Sequence, residues 1–200
     1  MDTLATRRRT DRLLPALACI LAALLFGAST PASKLLLGSL GPFTLAGLLY
    51  IGGAIAVLPF SFRGGSPETR RQPRQRQLLA LAVLFGGGVG PVLMLFGLRA
   101  ASAASVALWL NMETVATTLL AWAYFREHLD RRTVLAIGLV LAGGLLLAAP
   151  GGAAGWRAGA LVALACVCWG VDNNVTALIT GFTPAQTTAV KGFGAGIVNL

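Results

Sequence analysis

Asp172 and Lys191 stand out as a pair whose types and spacing suit charge chemistry. Asp172 lies ten residues before Phe182 and Lys191 nine residues after it. If Phe182 centres a short turn between antiparallel helices, both side chains reach equal depth, about 10 Å above the turn at 1.5 Å per residue. A salt bridge between them is then geometrically reasonable. Lys191 would hold an anionic group of a bound molecule, and Asp172 would release it on protonation. The other reading is a structural ion pair that offsets two buried charges, which would cost about 3–5 kcal/mol to break. Asn173, Asn174 and Thr176 add donors and acceptors beside Asp172, enough to line a polar cavity or to bond between helices.

Glu113 is the second feature. It sits about eleven residues from either end of an apolar stretch, Ala103–Phe125. At the middle of a membrane span, desolvation penalises a bare carboxylate, which suits a proton acceptor coupled to the movement of a solute. The alternative is a carboxyl, protonated or paired, that locks helix packing. Trp109 and Trp169 offer faces on which a solute can stack; interface anchoring or packing is the plainer role for both. Lys34, near the end of the first apolar stretch, has the stem to snorkel to the interface.

These residues are informative because of the elements that hold them. The chain is 56% hydrophobic and 12% charged, with mean hydropathy +0.76. A soluble domain carries roughly 25% charged residues, and this much apolar sequence needs lipid as its solvent. Spans need ~20 apolar residues each. Seven candidates follow one another: Leu13–Leu37, Pro42–Phe62, Leu78–Leu98, Ala103–Phe125, Thr133–Ala149, Ala158–Ile179 and Ala185–Leu200. Ionisable residues inside such spans are costly, so each is a functional hypothesis by default. The start at Arg7–Ser29 has a signal-like layout, but its apolar run exceeds the ~7–15 residues of a signal peptide. It reads as a retained first helix.

Net charge +9 is a topology signal. Arg7, Arg8, Arg9 and Arg12 precede the first span. Arg63, Arg70, Arg71, Arg74 and Arg76 follow the second, and Arg126, Arg131 and Arg132 follow the fourth. Alternating spans put all three clusters on one side, which the positive-inside rule makes cytoplasmic, together with the N-terminus. The opposite side receives Arg99 and Arg157. Nucleic acid is therefore a poor partner for this basic chain. Arg63–Gln77, with its glycines and prolines, reads as a flexible loop, and Pro150–Gly155 as the outer link between two units. Cys19, Cys166 and Cys168 lie in apolar segments and read as free thiols. The single histidine, His128, falls among loop charges with Glu127 and Asp130, and the glycine run at 86–90 is intramembrane. No hydrolase triad, zinc site or phosphate loop is visible, so no enzyme, metal or cofactor is expected.

The pattern of the first span begins again in the sixth. Phe26-Gly27-Ala28-Ser29 parallels Trp169-Gly170-Val171-Asp172, and Pro42-Phe43-Thr44 parallels Pro184-Ala185-Gln186. With five spans per unit, the second unit is inverted relative to the first, an arrangement characteristic of secondary transporters. The fold expectation is thus an all-α, multi-spanning helical bundle of two inverted five-helix repeats, at 13–149 and 158–200, the second incomplete. About seven helices are present, and three more would complete the second unit, so a longer protein is expected. Gly86-Gly87-Gly88-Val89-Gly90-Pro91 and Gly192-Phe193-Gly194-Ala195-Gly196 carry the small-xxx-small spacing that lets helices approach closely. Pro31 and Pro91 each remove a helical hydrogen bond and should bend their helices.

The chain resembles the EamA-type members of the drug/metabolite transporter superfamily. The resemblance rests on Phe26-Gly27 with Lys34, on Leu108–Val115 continuing to Phe125-Arg126-Glu127-His128-Leu129, on Gly138 to Gly143-Gly144, and on Trp169–Asn174 with Lys191-Gly192. Glu113 stands where many relatives carry Pro. The resemblance implies ten helices in two inverted halves and the movement of small organic metabolites or drugs. The leading expectation is a permease of the bacterial inner membrane working by alternating access, with a small-molecule substrate and the bilayer as partners. A homodimer stays open. The rival is a non-transporting integral membrane protein, either a scaffold or a half-unit that needs a partner.

Overall fold

Apolar side chains on nearly every turn leave a membrane helix free to bury any face, so helix ends and small residues decide how this bundle assembles. The computed structural model describes residues 2–62, 64 and 72–200. Among them, seven helices run in chain order: α1 (Asp2–Leu36), α2 (Pro42–Ser61), α3 (Pro73–Ala100), α4 (Ala103–Phe125), α5 (Arg131–Ala148), α6 (Gly152–Ala177) and α7 (Pro184–Asn199). The first six are long and apolar enough to cross a bilayer. The seventh has 16 residues.

Local chemistry sets the starts. Pro42, Pro73 and Pro184 occupy first-turn positions, where a missing N–H costs nothing. The Ser102 hydroxyl accepts from Ser105 N–H at 3.0 Å, and Asp130 Oδ1 accepts from Thr133 N–H at 2.8 Å. In a full capping box, Thr183 Oγ1 accepts Gln186 N–H at 3.3 Å and Gln186 Oε1 accepts Thr183 N–H at 3.0 Å. This opens α7 sharply after the turn at Phe182.

Several boundaries differ from the sequence expectation. Helix α3 begins at Pro73, five residues before Leu78, because Pro73 supplies the first turn and Gln75 is buried there, its Oε1 accepting Thr180 N–H at 2.9 Å. Residues 63 and 65–71 of the expected Arg63–Gln77 loop lie outside the described residues, as do the side chains of Arg7, Arg8, Arg9 and Arg12. The link between α5 and α6 is only a short 3₁₀ turn, Ala149–Gly151, with Gly152 already opening α6 at φ 55°.

Two helices are not regular. Helix α4 breaks between Trp109 and Met112. There Asn111 N–H bonds Leu108 O at 3.2 Å and Glu113 N–H bonds Leu110 O at 3.0 Å, a tightened i→i−3 pattern. Helix α3 widens into a π-helical stretch at Ala82–Val89, where Gly90 N–H bonds Phe85 O, five residues back. Pro91 has no N–H to offer Gly86 or Gly87. The Gly86 carbonyl instead accepts the Tyr50 hydroxyl and, at 3.0 Å, the Trp169 indole N–H; Asn199 Nδ2 serves Gly87 O at 3.0 Å. Side chains of α2, α6 and α7 thus satisfy what the register shift leaves open.

The core joins Leu45 of α2, Leu95 and Leu98 of α3, Trp109 of α4, and Val162 and Cys166 of α6. Along the α2–α7 seam, a Cβ on Gly192 would meet Tyr50 O at 2.7 Å, and one on Gly196 would meet Ile51 Cγ1 at 2.3 Å. Only glycine permits that approach. Helices α1 and α5 sit at the periphery with large apolar side chains outward, among them Leu24, Leu25, Leu139 and Leu146. That is the surface of a protein solvated by lipid.

Candidate functional site

Asp172 of α6 and Lys191 of α7 lie on either side of the Phe182 turn, and both helices pack on the π-helical stretch of α3. Lys191 Nζ reaches both carboxylate oxygens of Asp172, Oδ1 at 2.7 Å and Oδ2 at 2.5 Å. Thr176, one turn along α6, donates its hydroxyl to Asp172 Oδ1 at 3.0 Å. The carboxylate lies against the backbone of Gly86 in the π-helical stretch of α3, and Asp172 is buried. Lys191 also lines a cleft of about 340 Å³ with Leu49, Tyr50, Gly53, Thr188 and Gly192. One side of the ion pair is therefore packed in protein while the ammonium borders open volume.

The other face of α6 turns to α4. Gly170 allows this: a Cβ there would lie 3.0 Å from Thr117 N and Ala116 C. The close approach lets Asn173 Nδ2 donate to Glu113 Oε1 at 3.0 Å and to Thr117 Oγ1 at 3.2 Å. Asn174 Nδ2 donates to Thr117 O at 3.1 Å and to Gly170 O at 2.8 Å. Glu113 occupies the first turn of the second half of α4, Met112–Phe125. A carboxylate is electrostatically favoured at that end of a helix. The break thus falls at Leu110–Asn111, just before the charge.

The two tryptophans divide. Trp169 is tied by its indole N–H to Gly86 O, beside the ion pair. Trp109 is 2% exposed and donates to Gly144 O at 3.1 Å, so its ring fills the core and offers no face to a solute. The Lys34 ammonium is held by backbone carbonyls, those of Leu98, Ala101 and Arg99 at 2.7, 2.9 and 3.1 Å, capping the C-terminal end of α3.

Sequence reasoning missed Tyr50 and Thr117, and read Gly86 as a close-packing glycine without its place at the ion pair. Tyr50 left a signal, being one of two tyrosines in the chain and set within an apolar helix. Gly86 and Thr117 matter only through what packs on them. At the opposite end of the ion-pair helices, Gln186 Nε2 donates to Ser61 O at 2.8 Å and Gly64 O at 3.1 Å, joining the α2 end to the α6–α7 turn. The thiols of Cys19, Cys166 and Cys168 are free. No group of three or more metal-ligating side chains is found among the described residues.

Long apolar helices, a lipid-facing exterior and polar residues held between helices define an integral membrane protein. The EamA-like transporter family matches residues 13–149, and the chain belongs to that family. It is also 30% identical, over 152 residues, to an uncharacterized transporter of Methanothermobacter thermautotrophicus. That match covers 70% of this chain and 44% of the relative, so the chain spans less than half the relative's length. No solved structure matches it.

Proposed function

We propose that the chain forms part of a secondary-active transporter that moves small organic metabolites or drugs across a bacterial cytoplasmic membrane by alternating access. The N-terminus is cytoplasmic in this reading, on the same side as Arg74, Arg76, Arg126, Arg131 and Arg132. Residues from 158 onward open a second, inverted five-helix unit.

The observation that carries the proposal is the Asp172–Lys191 pair. An apolar pair of similar volume usually stabilises a protein as well as a buried ion pair does. Fold alone therefore gives little reason to place two charges within the bundle. Here the pair sits at a cleft, beside an irregular stretch of α3, with Tyr50 and Trp169 bonded to the same carbonyl. Irregular backbone within a span is tolerated where it is packed in protein or lines a cavity.

The test is solute flux. The natural full-length protein is reconstituted in liposomes with an imposed pH gradient and offered radiolabelled amino acids, nucleosides and arylalkylamines. Protein-dependent, gradient-driven accumulation of at least one solute is expected. Accumulation of none, from protein whose folding is verified by thermal unfolding, would favour the scaffold reading.

A further inference from the structure

We infer that the cleft at the break in α4 is a binding subsite for organic cations, with Glu113 as the counter-ion. The inference rests on the transport reading only for the bound cation being cargo. The cleft holds about 400 Å³ and lies between α1 and α4, lined by Phe26, Thr30, Leu110, Asn111, Glu113 and Thr114. That volume falls within the range of small-molecule sites.

Charge balance selects the class of ligand. Among the described residues, the two lysines inside the spans are already engaged. Lys191 is held by both oxygens of Asp172, and Lys34 by three backbone carbonyls. Glu113 makes no ion pair among the described residues, and its one hydrogen-bonded oxygen, Oε1, accepts from a neutral amide. In its ionised form Glu113 is a negative charge without an ionic partner among the described residues, which is costly within a span unless a cation neutralises it. An anionic solute would meet that charge, and the lining of the cleft holds no cation to receive it. Phe26, 67% exposed, adds an aromatic surface to the same cleft, and a ring face attracts a cation within about 6 Å of its centre. The ligand class is an amine or other organic cation with a flat apolar portion. Asn111 and Thr114 add polar groups to the wall.

The test is binding to the natural full-length protein in phosphatidylcholine nanodiscs, with phenethylammonium and its anionic counterpart 3-phenylpropanoate as probes. Saturable phenethylammonium binding is expected, with Kd raised about tenfold or more in Glu113→Gln and several-fold in Phe26→Leu. The second position is exposed, so that variant keeps its fold. 3-Phenylpropanoate should bind at least about tenfold more weakly. Equal binding of the two probes, or an unchanged Kd in Glu113→Gln, overturns the subsite. Glu113-dependent binding with no flux of any solute leaves the subsite standing and removes the transport reading. Flux of other solutes with no phenethylammonium binding does the reverse.

Discussion

The Asp172 carboxylate fills the space that a side chain at Gly86 would enter: a Cβ on Gly86 would lie 2.1 Å from Asp172 Oδ2 and 2.3 Å from Cγ. The absence of a side chain on α3 is therefore what lets α6 bring its carboxylate to Lys191. Gly86→Ala should push Asp172 off that position, at a cost of about 1–3 kcal/mol of the kind overpacking produces. The control is Gly138→Ala, where nothing lies within 4 Å of the added methyl. That change should be neutral or stabilising by up to about 1 kcal/mol through helix propensity. Thermal unfolding in detergent separates the two, and equal melting temperatures would refute the packing relationship.

The ion pair predicts a strongly non-additive cycle. Lys191→Leu alone leaves the buried Asp172 carboxylate without its partner and should cost about 3–5 kcal/mol. Adding Asp172→Asn removes the stranded charge, so the double variant should recover most of that loss. The coupling energy follows from denaturant or thermal unfolding of the four proteins. Additive losses would mean that the two charges do not depend on one another in the folded protein.

Lys34 makes a separate prediction at the far end of α3. Its ammonium bonds three carbonyls where a helix end is otherwise unsatisfied. Lys34→Met keeps much of the stem and removes the donors, and should destabilise by about 1.5–3 kcal/mol, the scale for hydrogen bonds to a charged group. Hydrogen exchange at the last turn of α3 should quicken in this variant. Unchanged exchange would leave the snorkelling role as the better account.

Much of this arrangement is legible in the sequence where it depends on local quantities. Hydropathy marks the six spans because lipid rewards apolar length directly. The Asp172–Lys191 contact follows from two distances to one turn. The π-helical stretch of α3 depends instead on donors far along the chain: Tyr50, Trp169 and Asn199 lie 36, 83 and 112 residues from the carbonyls they serve. Pro91 signals a lost hydrogen bond but not who replaces it. The break in α4 is equally hidden, since the Cys166 thiol that bonds the Trp109 and Leu110 carbonyls lies 57 and 56 residues away. Trp109 reads as a stacking surface or as a core residue from its type alone. Packing against Gly144 makes it core.

Outside the membrane, Asp130 gives a pH dependence. Its hydrogen bonds from Thr133, side chain first and backbone second, hold the carboxyl below its ordinary value of 3.8. A carboxyl lowered on folding contributes stability above the unfolded value, and that contribution is lost as pH falls through the folded value. Asp130→Ala should therefore be less stable than the parent at neutral pH, and the gap should close below about pH 4. Unfolding temperatures from pH 7 down to pH 3 check this. A gap constant across that range would show that the cap does not need its charge.

In the proposed transporter the charges of Asp172 and Lys191 serve movement of a solute and not merely the fold. The most direct measurement is solute flux through liposomes holding the natural full-length protein or its Asp172→Asn, Lys191→Leu double variant. The double variant is expected to keep its fold and to lose about tenfold or more of the flux rate, a change of at least ~1.4 kcal/mol in the barrier. A folded double variant that carries solute at the parent rate would contradict the claim and leave the pair a structural ornament of the bundle.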